Sequence, residues 1–358
     1  MGYGALGELR GCRAGGVAAA LAVVCAGWVY FLRGSFCSAV RDFRQPLPGS
    51  LRLLSAYIQQ RLRRKRGHLK TEKSPGELLL TLINCRYEVV SLRRYCSTVG
   101  YGWDYPDSTF RDIPLLYPQF LCSRLISMIT CSDRFGLSPY GLVCVSERVK
   151  LLQPVDELKR GKFSLRVGVA GYRCVSGGVE VDLALSMRTV HQQEEEENGW
   201  SSTITLLSPN TTHTHTLQPD THTADDGVSS VKSVRSVRVS VPWWAGEGGV
   251  GPGLSALLPS CLQGYGCTPA LWAISRCLAE TEKIRGADAV RAPLSLTVCY
   301  AQPLRLPKTV TITIKENTGS SHSSAPTPGS APGGSDYSFN LEDHSTHTLL
   351  LTGHIHRL

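Results

Sequence analysis

The sequence predicts an α+β fold in which one arrangement, a helix followed by long antiparallel strands, occurs twice. Three observations predict it. Leu121, Leu125, Met128 and Ile129 recur at spacings of three and four, the period of a helix, with Ser and Arg filling the gaps. Gly136, Pro139 and Gly141 then break the helix, and Val143, Val145 and Val149 fall on alternate positions, the period of a strand. The pattern returns downstream, where Pro269–Ile284 reads as a second helix followed by strands.

The chain has 358 residues and an ordinary globular composition, so a packed core is expected. Its 13 cysteines are dispersed with no CxxC pair, which argues against a disulfide framework and against a zinc site. Formal net charge is +9, but eleven Lys and Arg against Asp42 and Glu72 lie between Arg33 and Lys73, which accounts for all of it. The rest of the chain sums to zero, so a basic folded surface for nucleic acid is not expected.

Ala14 to Leu32 is 19 residues without a charge. As a helix it would be roughly 28 Å long, about the thickness of a bilayer core. Trp28, Tyr30 and Phe31 stand where an interfacial belt would be, so a transmembrane anchor over 14–32 is expected. Positive charges after it, Arg33, Arg41, Arg44 and the run Arg61–Arg66, outweigh Arg10 and Arg13 and place the globular part on the cytosolic side. Residues 33–75 read as a basic juxtamembrane linker whose RLRRKR run suits anionic headgroups.

The first globular half is expected over 76–208. Pro75 and Glu77 suggest a helix beginning PGELLLTLI. After the Leu121–Ile129 helix, Lys162–Val175, Val179–Val190 and Ser201–Leu207 alternate as strands, the first two joined by a tight hairpin at Gly177-Gly178. Residues 209–230, which contain PNTTHTHTLQPDTHTADD, read as a disordered insertion, and His213, His215 and His222 within it lack the rigidity a metal site needs. The second half, 231–358, opens with the strand Val231–Val241 and a Gly/Pro-rich stretch, Pro242–Cys267. Thr268 is placed to cap the Pro269–Ile284 helix, with Pro269 at its first position. Pro293–Gln302, Thr309–Lys315, Tyr337–Glu342 and Thr346–Leu358 follow as strands. His354 and His356, two apart on a strand, would face one side, yet no third ligand stands at a recognisable spacing. No metal and no cofactor is expected.

A long helix wrapped by an antiparallel sheet is the hot-dog fold, and two in tandem make a double hot-dog. LLYPQFL with its apolar helix and GLVCVSERVKLLQPV resemble the amino-terminal half of MaoC-like acyl-thioester dehydratases. LWAISRCLAE and LSLTVCYAQPLRLPKTVTI resemble the helix and strand pair of the carboxy-terminal half. The resemblance runs from about Pro114 to the carboxyl end, apart from the insertions. It implies an acyl thioester or lipid ligand and a hydro-lyase chemistry in which an Asp and a His activate water. It also implies that this pair lies in the loop before the second helix. Here that loop, PWWAGEGGVGPGLSALLPS over Pro242–Ser260, contains no Asp, Asn or His, and its single ionisable side chain is Glu247. Glu247 is therefore the one weak catalytic candidate, and Trp243, Trp244 and Trp272 are candidate ligand-lining residues. The expectation is a membrane-anchored, catalytically degenerate binder of acyl thioesters or lipids. The alternatives are an active enoyl-thioester hydratase with a rearranged site and a non-enzymatic scaffold.

Overall fold

The computed structural model describes residues 40–45, 47–70, 78–102, 112–159, 161–189, 199–210, 231–241, 268–304, 308–317 and 336–358. Contacts divide the chain into Met1–Ser38 and Ala39–Leu358, and every described residue belongs to the second unit. The expected anchor over 14–32, nearly all of the insertion over 209–230 and the stretch from 242 to 267 lie outside the described residues. Among the described residues no helix is long and apolar enough to cross a membrane.

In chain order, β1 (Val40–Asp42) and α1 (Ser50–Arg63) precede β2 (Leu79–Cys85), α2 (Val89–Val99), α3 (Tyr117–Thr130) and β3 (Val143–Leu151). A meander follows: β4 (Phe163–Val175), β5 (Gly178–Thr189) and β6 (Trp200–Pro209). Then come β7 (Val231–Val241), α4 (Pro269–Arg285), β8 (Leu294–Tyr300), β9 (Lys308–Asn317), β10 (Asp336–Asp343) and β11 (Leu349–Arg357). Among the described residues these strands form one sheet in the order β1-β2-β4-β5-β6-β3-β8-β11-β10-β9-β7.

That order contains the repeat. From the outside inward the first half runs β2-β4-β5-β6-β3 and the second runs β7-β9-β10-β11-β8. In each, a strand leads to a helix, the next strand lies at the centre, and a three-strand meander fills the gap. The halves join where β3 and β8 pair antiparallel, from Ser146↔Cys299 to Leu151↔Leu294. Period-two patterning explains why these strands form. Leu183 and Leu185 on β5, and Leu294, Leu296 and Val298 on β8, are buried while their neighbours are more open. Each such side chain contributes roughly 1.5–3 kcal/mol on leaving water.

The helices α3 and α4 are buried almost all round, as core helices wrapped by sheet must be. Phe120, Leu125, Met128 and Ile129 on α3, and Leu271, Ile274, Cys277 and Leu278 on α4, are each at most 3% exposed. The α4 start is as expected: Thr268 Oγ1 accepts from the Leu271 N–H at 3.2 Å, and Pro269 occupies the first turn.

Three expectations need correction. The run from Leu79 to Cys85 is a strand, not the start of a helix. Leu80, Leu82 and Cys85 turn inward, and Leu79↔Gly168 to Leu82↔Leu165 pair it with β4. A short apolar run has no period of its own, and the edge of β4 decides it. The helix of that region begins at Val89 instead. The β4–β5 hairpin pairs Val175 with Gly178, so its two turn residues are Ser176 and Gly177.

Finally, the stretch read as a basic linker over 33–75 carries β1 and helix α1, and its arginines hold it to the first half. The Arg64 guanidinium is buried and donates to the carbonyls of Leu137 and Asp133 at 2.9 Å and of Ser132 at 3.2 Å. These oxygens lie just past the negative end of α3, where a cation is favoured. Arg61 and Arg66 stack on the Tyr140 ring at 4.0 and 4.3 Å.

Candidate functional site

A cavity of about 330 Å³ lies at the amino-terminal end of α4, within the range of ligand pockets. Pro269, Ala270 and Ala273 of α4 form one wall. Opposite them stand Ile126 and Thr130 of α3, Val143 and Cys144 of β3, and Tyr300 at the end of β8. The site thus draws on both halves where they meet. Small residues on the first turns of α4 leave the space, and its lining is mostly apolar with few polar groups.

Behind Tyr300 is a buried carboxyl that sequence reasoning missed. Glu147 is on β3 with Val149 and Leu151, on the face turned to the helices, and is 1% exposed. Gln119 of α3 and Tyr300 of β8 hydrogen-bond its side chain, while its Oε1 has no partner. Burial pushes its pKa up to about 7, against the opposing pull of those two hydrogen bonds. The signal was present: Glu147 shares the parity of Val149 and Leu151, so a strand burying those two must bury the carboxylate too.

A bulge assembles the rest. The β3–β6 register shifts between Cys144 and Ser146, which leaves Val145 as the extra residue. The shift brings the Cys144 thiol to the side where it meets Glu147 and Tyr300. Burial holds the Cys144 thiol and the Tyr300 phenol well above their ordinary pKa values, so both are protonated and neither is a nucleophile near neutrality. The Tyr300 hydroxyl also donates to the Ala270 carbonyl in the first turn of α4, at 3.4 Å.

Trp272 is placed elsewhere. It is 3% exposed, and its indole N–H donates to the Thr98 carbonyl of α2 at 3.0 Å. It locks α4 against α2, and Ala270 and Ala273 form the cavity wall on that helix. Trp243, Trp244 and Glu247 lie outside the described residues. His354 and His356 stand on one side of β11 as their spacing requires, with rings 6.2 Å apart, and His356 Nδ1 is 3.1 Å from Asp336.

No family model matches the sequence, and no curated protein matches it. Solved structures do resemble it. HtdX from Mycobacterium tuberculosis superposes with a TM-score of 0.51 at 14% identity, over 78% of this chain and 100% of that one. A MaoC-like dehydratase superposes with a TM-score of 0.50 at 12% identity, over 80% of this chain and 99% of that one. At such identities the likeness is one of fold: the chain has the hot-dog architecture of MaoC-like dehydratases.

Proposed function

We propose that this protein binds acyl thioesters or related lipids in the α4 cavity without turning them over, and that it does so at a membrane surface. The observation that carries the reading is the apolar cavity at the capped start of α4, in a fold shared with dehydratases. Pro269 has no N–H and Thr268 engages those of Leu271 and Trp272, so the Ala270 N–H and the positive end of the helix are what this turn offers a thioester carbonyl. An apolar lining suits an acyl chain.

Lack of turnover follows from the chemistry of the wall. Hydration needs a group that takes and returns a proton near neutral pH. Among the described residues the ionisable groups lining the cavity are Cys144, Tyr57 and Tyr300, and burial holds Cys144 and Tyr300 protonated. Glu147 has a fitting pKa but does not line the cavity. Between Pro242 and Ser260 the sequence offers only Glu247.

The membrane part of the reading rests on the 14–32 segment and on the outer face of α1. Leu51, Ile58 and Leu62 form a stripe on that face and are 63%, 47% and 81% exposed. Arg61, Arg63 and Lys65 lie beside it, also exposed. Apolar and cationic groups together fit an anionic lipid surface.

Calorimetric titration of the full chain with octanoyl-CoA, alongside a hydration assay with crotonyl-CoA and longer enoyl-CoAs, tests the central claim. Binding without turnover is expected. Turnover abolished by Glu247→Gln would show an active hydratase, and failure to bind any acyl-CoA would leave the fold as a scaffold. Flotation with phosphatidylserine vesicles tests the surface: Leu62→Asp should weaken it.

A further inference from the structure

Glu147 is difficult to explain as a structural residue. A carboxyl in the core of a sheet is costly to ionise, and one left with an unpaired oxygen is worse than an apolar side chain of the same shape. No Lys, Arg or His acts on it among the described residues. The groups facing it are Gln119 from α3, Tyr300 from β8 and Cys144 from its own strand, with Cys277 of α4 adjoining Tyr300. Opposite Glu147 on β6 stands Ile204, which is apolar. Among the described residues it reaches the cavity through two lining neighbours, Cys144 and Tyr300, and of these Tyr300 is the one that hydrogen-bonds its side chain.

We infer that the Tyr300 hydroxyl is the hydrogen-bond donor for the carbonyl oxygen of an acyl ligand in the cavity, and that Glu147 is a positioning residue governing whether that hydroxyl is free to donate. The inference rests on the acyl-binding reading and names the part of the ligand that is recognised. The chemistry is that of one shared proton donor. When Glu147 is protonated, its O–H donates to the Tyr300 oxygen, and the phenol O–H, which donates over a long 3.4 Å to the Ala270 carbonyl in the ligand-free cavity, turns to the ligand. When Glu147 is ionised, the phenol O–H donates to the carboxylate, the stronger acceptor, and offers the cavity only lone pairs. A carbonyl, which can only accept, then loses its partner. Gln119 supports either state, because an amide both donates and accepts.

The sign is therefore definite. Affinity for a carbonyl-bearing acyl chain is highest below the Glu147 pKa of about 7 and falls above it. The test is titration calorimetry on the full chain with octanoyl-CoA and with S-octyl-CoA, which lacks the carbonyl, from about pH 6 to about pH 8. Loss of one hydrogen bond corresponds to about a fivefold weaker Kd for octanoyl-CoA over that interval, with S-octyl-CoA unchanged. Glu147→Gln should flatten the octanoyl-CoA profile. Tyr300→Phe should bind it about fivefold more weakly at the acid end, also with a flat profile. Infrared difference spectra should show a protonated-carboxyl band that titrates near pH 7 and is missing from Glu147→Gln. A profile equally steep in Glu147→Gln, or equally steep for S-octyl-CoA, overturns the proposal. Binding by the unaltered protein with a flat profile overturns it while sparing the acyl-binding reading. Failure of both probes to bind at any pH removes that reading and this one with it.

Discussion

The two halves share one strand order, yet the amino-terminal ends of their central helices have been put to different uses. Helix α3 begins after Leu116, which has no side chain to cap it, and fills its first turn with Tyr117 and Phe120. Those rings pack on Tyr95 of α2 with centroids 5.8 and 5.2 Å away. Arg64 binds carbonyls beyond its far end, and Arg124 donates to the Pro48 carbonyl ahead of α1. Helix α4 begins with a capping Thr268 and then Pro269, Ala270 and Ala273, small residues that leave a cavity. A cavity of about 380 Å³ also adjoins the first turn of α3, but Tyr117 and Phe120 form part of its wall and the exposed arginines Arg86 and Arg94 line it as well. The difference teaches that the same architecture consolidates the core at one helix start and leaves at the other an apolar cavity, the one proposed to receive a ligand.

The largest expected effect tests the consolidating end. Phe120→Ala removes a ring that is 2% exposed and sits among aromatic neighbours. It should cost about 3–5 kcal/mol in denaturant unfolding. At temperatures where the variant is still folded, octanoyl-CoA affinity should be unchanged. If binding is lost while circular dichroism shows an intact fold, the division of labour between the halves is wrong.

The next effect comes from the seam between them. The folded-state pKa of Glu147, about 7, lies above the ordinary carboxyl value. The folded protein therefore holds a proton that the unfolded chain has released, and stability falls as pH rises from about 4.5 to about 7. At 1.36 kcal/mol per pKa unit the loss is about 3 kcal/mol. Glu147→Gln, which keeps the shape and does not ionise, should be more stable than the unaltered protein by about that amount at pH 8 and nearly equal to it at pH 4. Urea titrations at the two pH values measure the difference.

Arg64→Ala should have a smaller effect, about 2 kcal/mol, because it leaves the buried Leu137 carbonyl without this donor and takes one from the carbonyls of Ser132, which keeps the Phe135 N–H, and of Asp133. It should also free α1, seen as faster proteolysis around residues 50–63, while Arg63→Ala, whose side chain is exposed, should change little. Unaltered protection of α1 in Arg64→Ala would mean that Leu53, Ala56 and Tyr57 hold the helix unaided.

These three positions also mark how far the sequence could be read. Periodicity, glycine breaks and the Thr-Pro start located α3, α4 and nearly all the strands, because those signals are local. The duplicated order followed from the recurrence of helix and strands. Arg64 was legible only as charge, since its partners are carbonyls some 70 residues away and no pattern encodes them. Leu79–Cys85 was misassigned because a proline and a glutamate upstream imitate a helix start, while the partner that makes it a strand is β4. Glu147 was hidden by a different failure. The period is carried by valines, and the charged residue that shares the face of Val149 and Leu151 does not interrupt it. A charge on the buried parity of a strand is the pattern that would have found it.

The smallest effect bears on the receiving end. Thr268→Ala removes the hydroxyl that accepts from the Leu271 N–H, a change worth about 1 kcal/mol at a helix start. Its consequence for the ligand should be larger in proportion. The first turn of α4 carries Ala270, whose side supplies the cavity wall and whose carbonyl lies near the Tyr300 hydroxyl. Loosening that turn weakens both, so octanoyl-CoA should bind several-fold more weakly although the melting temperature barely moves. The corresponding position before α3 is Leu116, where Leu116→Ser could introduce a cap that the first half lacks. Leu116 is fully buried, so the packing lost should outweigh the cap gained, and stability should fall. A helix start whose uncapping weakens the ligand and one that cannot accept a cap would together support packing as what holds α3 and hydrogen bonding as what shapes the start of α4.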